Sequence, residues 1–140
     1  MTKPDFTGSW RLSLRESRFG FLPPAKLRVD TITQSATGIR IVTRQVDTNG
    51  DHTVERVLPL DGTPVEVLVL GRTRTVSAHW DGDDLLVETH NEVSGRLRRI
   101  EDRWSLSPDR ESIKVSRWHG NPGGAVRQEI VLWREALSQS

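Results

Sequence analysis

The two ends of the chain carry the feature that most constrains its fold. Gly8-Ser9-Trp10 stands near the start of the sequence and Trp133-Arg134 near its end. A Gly-x-Trp on the first strand and an arginine on the last strand are typical of a small closed β-barrel. In such a barrel the indole plugs one end and a guanidinium can stack on it, which contributes about 0.5–2 kcal/mol when the pair is partly desolvated. The pattern predicts an architecture and leaves open what the barrel holds.

Turn signals recur along the rest of the chain at the spacing of an all-β sandwich or barrel. We expect strands at about 6–14, 26–34, 39–47, 52–60, 65–70, 72–80, 85–94, 96–106, 113–120 and 125–134. The short links between them favour antiparallel neighbours. We therefore predict that residues 1–140 form one all-β domain, a single antiparallel up-and-down β-barrel of about 8–10 strands.

Hairpin turns also predict which side chains face inward, because they set the register of the strands. The predicted pairs are Trp80 with Leu85, Val93 with Arg96, Leu106 with Ile113 and Gly120 with Ala125. They imply four rows of side chains that face inward. The first row is Trp80, Leu85, Trp104, Val115 and Ile130, and the second is Ala78, Val87, Asp102, Arg117 and Gln128. The third row is Val76, Thr89, Ile100, His119 and Val126, and the fourth is Arg74, Asn91 and Arg98. The outer face would carry Glu88, His90, Arg99, Glu101 and Arg103.

The first half of the chain is less regular. Asn49-Gly50 predicts a two-residue type I′ turn that pairs Thr43 with Arg56. The strand at 26–34 changes its apolar phase, which predicts a β-bulge and leaves open whether Asp30 or Thr31 points inward. The apolar run at 65–70 fits a strand buried on both sides, a flap over the barrel mouth, or an edge covered by a second subunit. Phe19, Phe21 and Leu22 would form the other lip of the mouth or plug the barrel end.

Composition excludes several classes of function. Twenty basic and nineteen acidic residues leave a net charge of +1, which is too small to attract nucleic acid or an anionic membrane electrostatically. The absence of cysteine excludes disulfides and thiolate chemistry. No stretch is apolar enough to span a bilayer, and a cytoplasmic location follows if Met1 is the native start. Only three of the twenty basic residues are lysines, a bias that we attribute mostly to genomic base composition.

The terminal motifs and the meander together resemble the calycin superfamily, which includes the lipocalins, the fatty-acid-binding proteins and the avidins. The resemblance is closest to small bacterial lipocalin-like proteins, whose strands end as Trp80–Asp83 and Trp104–Asp109 do here. The helical lid of the fatty-acid-binding proteins has no counterpart, because Glu16–Pro24 is typical of an irregular loop. The resemblance implies one interior cavity, open at one end, that binds a small hydrophobic or amphipathic molecule.

One inward row suggests how such a ligand would be recognised. Arg117, with Asp102 and Gln128, would bind a carbonyl, hydroxyl or carboxylate, and the neighbouring acid favours a neutral polar ligand. Alternatively, Asp102 only neutralises Arg117 as an internal ion pair. The other predicted ligand contacts are the apolar floor Trp80, Trp104, Val115 and Ile130 and the approach Thr89, Asn91, His119 and Arg74.

Two other classes of function remain open at this point. The chain could be an enzyme of isomerase, cyclase or lyase type, with Asp102 or His119 as the general base. It could also be a filled barrel that acts through an outer face of Trp118, Arg127 and Trp133, where a homodimer could form. We expect no cofactor and no metal, because His79 and His90 point outward; a haem would take His119 as its ligand. The predicted partner is a small molecule.

Overall fold

The computed structural model describes residues 3–20, 24–93, 95–121 and 124–135, and they form one ten-stranded antiparallel sheet. The strands are β1 (Gly8–Leu12), β2 (Leu27–Gln34), β3 (Gly38–Asp47), β4 (Gly50–Pro59), β5 (Val65–Val69), β6 (Arg72–Asp81), β7 (Asp84–Val93), β8 (Arg96–Leu106), β9 (Ser112–Asn121) and β10 (Gly124–Arg134). Their order is β4-β3-β2-β1-β10-β9-β8-β7-β6-β5. The sheet curls into a nearly closed barrel whose two edges, β4 and β5, lie side by side. The predicted all-β up-and-down barrel is confirmed.

The register of the second half agrees with the prediction. All four predicted hairpin pairs occur, from Trp80 with Leu85 through Gly120 with Ala125. The three inward rows of five residues follow from these pairs. In the third row, for example, Thr89 lies opposite both Val76 and Ile100. Acidic and basic side chains alternate on the outer face, where Arg99 binds Glu88 at 2.8 Å. Short turns therefore position this wall of the barrel.

The β3–β4 hairpin corrects the predicted register. Asp47 pairs with Gly50, so that the turn residues are Thr48 and Asn49, and Thr43 lies opposite Val54 rather than Arg56. Gly50 has a φ of 95°, whereas Asn49 has no positive φ, which a type I′ turn requires. The shift of two residues keeps the same side chains on the inner face, because strand side chains alternate with a period of two.

Strand β2 also differs from the prediction, because it contains no bulge. It pairs residue by residue with β3 from Leu27 to Gln34. Arg28 and Asp30 both point inward and are 4% and 0% exposed, while Thr31 is exposed. Two buried charged residues interrupt the apolar alternation of this strand, and that interruption is what resembled a change of phase.

One end of the barrel is closed by aromatic side chains. Trp10 is fully buried and donates its Nε1–H to the carbonyl oxygen of Phe6 at 2.9 Å. Phe6 stacks on Trp80 and meets Trp104 edge-on, which fills this end with apolar rings. The Arg134 guanidinium lies 4.3 Å from the centre of the Trp10 ring. The predicted stacking of the terminal arginine on the first-strand indole is confirmed.

The opposite end carries the turns that follow the odd-numbered strands, because successive strands of a meander run in opposite directions. The β3–β4 and β5–β6 turns therefore border the same opening as Phe19, in the segment after β1. In β5, Val67 points inward and Leu68 is 66% exposed, so that this strand is not buried on both sides. Phe21 and Leu22, the other predicted residues of the lip, lie outside the described residues.

Among the described residues, no helix is long and apolar enough to cross a membrane.

Candidate functional site

The interior toward the open end is hollow. A cavity of about 230 Å³ lies between β3, β4, β6, β7 and β8, and a second cavity of about 180 Å³ lies beside it, next to β1, β9 and β10. Arg28, Gln45 and Arg117 border both cavities. The larger cavity is lined by apolar side chains, among them Val76 and Ile100, and by a larger number of polar and charged ones. We call these the main cavity and the side cavity.

Two ion pairs form a polar floor of the main cavity. Arg117 donates from Nε and Nη2 to the two oxygens of Asp102 at 2.8 and 3.0 Å. Arg28 donates to both oxygens of Asp30 and also lies 5.9 Å above the centre of the Trp104 ring. Both pairs are bidentate, a geometry that suits the planar guanidinium and fixes its position. Each of these arginines is therefore already neutralised by its own aspartate.

The charges on the floor set the protonation of Asp102. Burial alone would raise the pKa of this carboxyl, but Arg117, Arg56 and Arg28 hold it below its ordinary value of 3.8. Burial would likewise lower the pKa of Arg117, but Asp102 raises it above its ordinary value. Asp102 is thus ionised with both oxygens occupied, which makes it a weak proton acceptor.

Two further guanidiniums border the main cavity without a carboxylate. Among the described residues, Arg56 on β4 makes one long hydrogen bond, 3.5 Å from Nη2 to Thr43 Oγ1, and Thr43 itself donates to Asp30 at 2.6 Å. The Nε atom of Arg74 on β6 is buried and has no hydrogen-bond partner among the described residues. Burial lowers the pKa of both arginines below the ordinary value. Among the described residues, these two arginines of the main cavity form no ion pair with a carboxylate.

His119 lies in the side cavity and is oriented by Gln128. The Nε2 atom of Gln128 donates to the carbonyl oxygen of Phe19 at 3.0 Å, which turns its Oε1 atom toward His119 Nε2 at 3.2 Å. Since Oε1 can only accept, this network assigns the proton of the imidazole to Nε2. Burial, together with the charge of Arg117, lowers the pKa of His119, so that the ring is neutral near pH 7. The structure holds His119 through Gln128 and not through Asp102, whose oxygens bind Arg117.

A second polar group stands at the mouth of the main cavity. Asp47 accepts hydrogen bonds from Gln45 Nε2 at 2.6 Å and from the Asn49 N–H at 2.8 Å. Its carboxylate lies 3.8 Å from His52 Nε2. Burial opposes these interactions, but together they hold the pKa of Asp47 below its ordinary value of 3.8. The Nδ1 atom of His52 is buried without a partner among the described residues, and His52 lines the cavity.

The predicted site residues fall into three groups. Arg74, Thr89, Asp102 and Arg117 border the main cavity, and Arg117, His119, Gln128 and Ile130 border the side cavity. Trp80, Trp104 and Val115 belong to the packed core beneath and do not line either cavity. Asn91 lies farther along β7, with its Oδ1 atom buried and unpartnered among the described residues.

Sequence analysis did not single out the part of the site that lies on β2, β3 and β4. The additional lining residues include Arg28, Thr43, Gln45, His52 and Arg56. Alternation along β3 and β4 places Thr43 and Arg56 on the inner face, and that was the available signal. Within the described ranges, no three His, Asp or Glu side chains are grouped so that they could hold a metal ion.

Comparison with solved structures identifies the fold. A secretory abundant heat soluble protein from Ramazzottius varieornatus has a TM-score of 0.69 at 12% identity, over 96% of this chain and 98% of that chain. Zebrafish ileal bile acid-binding protein complexed with cholic acid has a TM-score of 0.64 at 12% identity, over 93% and 98%. A Schistosoma mansoni fatty acid binding protein in complex with arachidonic acid has a TM-score of 0.61 at 13% identity, over 94% and 96%.

These likenesses extend over almost the whole chain, so that the fold is that of the calycin-like barrels. No family model matches the sequence, and no curated protein matches it. The resemblance to small bacterial lipocalin-like proteins in particular stays a prediction.

Proposed function

We propose that this chain binds a small amphipathic molecule inside the barrel, as a carrier or sensor does. The observation that carries the proposal is the main cavity of about 230 Å³, which lies at the open end and is lined by both polar and apolar side chains. Ligand sites in proteins combine apolar contact surface with polar groups that orient the ligand. A barrel that served only as a structural support would gain stability by filling this space with side chains.

The solved structures of the same fold support this proposal by analogy. The zebrafish protein holds cholic acid and the schistosome protein holds arachidonic acid, and both ligands are amphipathic. At 12–13% identity these likenesses carry no information about the ligand of this chain. The choice of ligand therefore has to come from the side chains that line its own cavity.

The geometry favours binding over acid–base catalysis. A general base needs a free lone pair and a pKa near the working pH. Asp102 does not meet the second requirement, because the charge and the hydrogen bonds of Arg117 hold its pKa below the ordinary value. His119 keeps a lone pair on Nδ1, because its proton is on Nε2 and points toward Gln128. We therefore place binding ahead of the isomerase, cyclase or lyase alternative, which would have to rely on His119.

A cavity-filling substitution tests the proposal. Thr89 lines the main cavity, and Thr75 is an exposed threonine on the neighbouring strand β6. We expect Thr89→Phe to weaken the binding of a neutral one-ring fluorescent dye, 4-(dimethylamino)benzonitrile, by at least about tenfold, while Thr75→Phe binds it like the wild type. Dye fluorescence gives the affinity, and circular dichroism melting confirms that each variant is folded.

If Thr89→Phe does not fold, Ile100→Phe fills the same cavity from β8 and replaces it in the test. Dye binding that is equal in the wild type, the cavity variants and Thr75→Phe would overturn the proposal, because the dye would then bind elsewhere. Failure of the wild type to bind the dye at all would also overturn it.

A further inference from the structure

The main cavity is bordered by more positive than negative charge. Four arginines border it, and the two on the floor are each paired with an aspartate. Arg56 and Arg74 form no ion pair with any carboxylate among the described residues. Both side chains are partly buried, and removing an unpaired charge from water, even in part, is costly. Two such charges beside one cavity indicate that something outside the chain neutralises them.

The carboxylate at the mouth does not supply this neutralisation. Asp47 is held by Gln45 Nε2 and by the Asn49 N–H, and His52 Nε2 lies 3.8 Å from it. These hydrogen bonds hold it in the β3–β4 turn, and among the described residues no arginine forms an ion pair with it. Asp102 and Asp30 are likewise fully engaged in bidentate pairs. The described residues therefore leave both guanidiniums available to a ligand.

The size of the cavity limits what the ligand can be. An apolar cavity of about 150 Å³ accommodates a benzene molecule. The main cavity, at about 230 Å³, has room for one ring and two small substituents. A long acyl chain would have to extend past Arg28 and Arg117 into the side cavity, and those side chains are fixed by their aspartates.

We infer that the ligand is a compact amphipathic molecule that carries two negative charges, as an aromatic dicarboxylate or an aryl phosphate does. One charge would meet the guanidinium of Arg56 and the other that of Arg74, while the ring packs on Val76 and Ile100. This inference rests on the proposed function and names the class of ligand. It replaces the neutral polar ligand expected from the sequence, because Asp102 is already neutralised by Arg117.

Competition against the bound dye tests the inference. The competitors are isophthalate and phenyl phosphate as dianions, benzoate as the monoanion and benzamide as the neutral analogue. A hydrogen bond to a charged group contributes enough for a tenfold to hundredfold change in affinity, so that we expect at least one dianion to bind about 10- to 100-fold tighter than benzoate. Isophthalate carries its charges on two groups and phenyl phosphate on one, so that their ranking distinguishes a dicarboxylate from a phosphate ester.

Variants then assign the preference to the two arginines. Arg56→Met and Arg74→Met remove the charges and keep most of the side-chain volume. Each should reduce the ratio of dianion to benzoate affinity toward one and leave benzamide unaffected. Arg40→Met is the matched control, because Arg40 is an exposed strand arginine that pairs with Glu55 on the outer face. It should keep the full preference.

Two results would overturn the inference while leaving the proposed function intact. In one, benzoate or benzamide displaces the dye as well as both dianions do from the wild type. In the other, Arg56→Met and Arg74→Met, both folded by circular dichroism, retain the dianion preference. Failure of the wild type to bind even the neutral dye is a different result, and it would overturn the proposed function itself.

Discussion

At the scale of single residues, the interior arginines are of two kinds. Arg28 and Arg117 each hold an aspartate in a bidentate pair, whereas Arg56 and Arg74 have no such partner among the described residues. Paired buried charges contribute little net stability, but removal of one partner leaves the other uncompensated. The paired arginines form the floor of the cavity, and the unpaired ones are the groups that we propose to contact a ligand.

This distinction predicts an asymmetry in stability. Asp102→Asn leaves the Arg117 guanidinium buried without its counter-charge, and we expect a loss of about 3 kcal/mol in the free energy of unfolding. The double variant Asp102→Asn/Arg117→Met removes both charges and should lose less. Urea unfolding of the three proteins measures the difference. Equal midpoints for the single and the double variant would contradict the pairing of these two side chains.

His119 makes the stability depend on pH. Burial and Arg117 lower its pKa below the ordinary value of 6.5, so that the unfolded chain binds a proton that the native state does not. Stability is therefore complete above about pH 6.5 and falls as the pH drops from there through the folded-state pKa. His119→Gln keeps a donor toward Gln128 and removes the titration, so that it should lose less stability between about pH 8 and about pH 5 than the wild type. If urea unfolding shows the same loss of stability at acid pH in both proteins, His119 is not the origin of the pH dependence.

At the scale of the strands, β1 and β10 close the barrel around one contact. A Cβ atom at Gly8 would lie 2.5 Å from Arg134 Nη1, and Gly8 has a φ of 145°. We expect Gly8→Ala to displace Arg134 from the Trp10 ring and to lower the free energy of unfolding by roughly 1–3 kcal/mol. Gly50→Ala is the matched control, because Gly50 also has a positive φ but an added Cβ there meets nothing within 4 Å. Equal losses in the two variants would show that the stacked arginine contributes nothing.

The strands also differ in how far the sequence predicts which side chains face inward. Rows from β6 to β10 follow from short hairpin turns, since a short link leaves little freedom of register. Strand β2 could not be predicted in this way, because Arg28 and Asp30 face the interior against their usual preference. The burial of one is explained only by its contact with the other. For the same reason the sequence places Arg56 on the inner face but cannot indicate that it lacks a partner, which depends on side chains across the barrel.

At the scale of the whole molecule, the two ends of the barrel have different roles. The closed end is packed with Phe6, Trp10 and Trp104 and supplies most of the apolar core. The open end is hollow and contains the charges. Trp80, Trp104 and Val115 were expected from the sequence to touch the ligand, because a row of large apolar residues resembles a cavity floor. In the structure they pack in or against the core and line neither the main cavity nor the side cavity.

The outer face of the barrel remains a separate prediction. Trp118 lies opposite Arg127 on it, and Trp133 is 42% exposed and donates to Glu16 at 3.0 Å. An exposed tryptophan beside an arginine is typical of an interface, and a homodimer formed here would leave the cavity mouth free. The interior and the outer face can therefore be tested independently.

The most direct test of an interior ligand site is native mass spectrometry of freshly purified protein, since it requires no prior choice of ligand. We expect the wild type and Thr75→Phe to carry an added mass that disappears on denaturation, and Thr89→Phe to carry none. That result would place the bound molecule in the main cavity and would give its mass. A wild type that has only its own mass, or an identical added mass on all three proteins, would contradict the interior site.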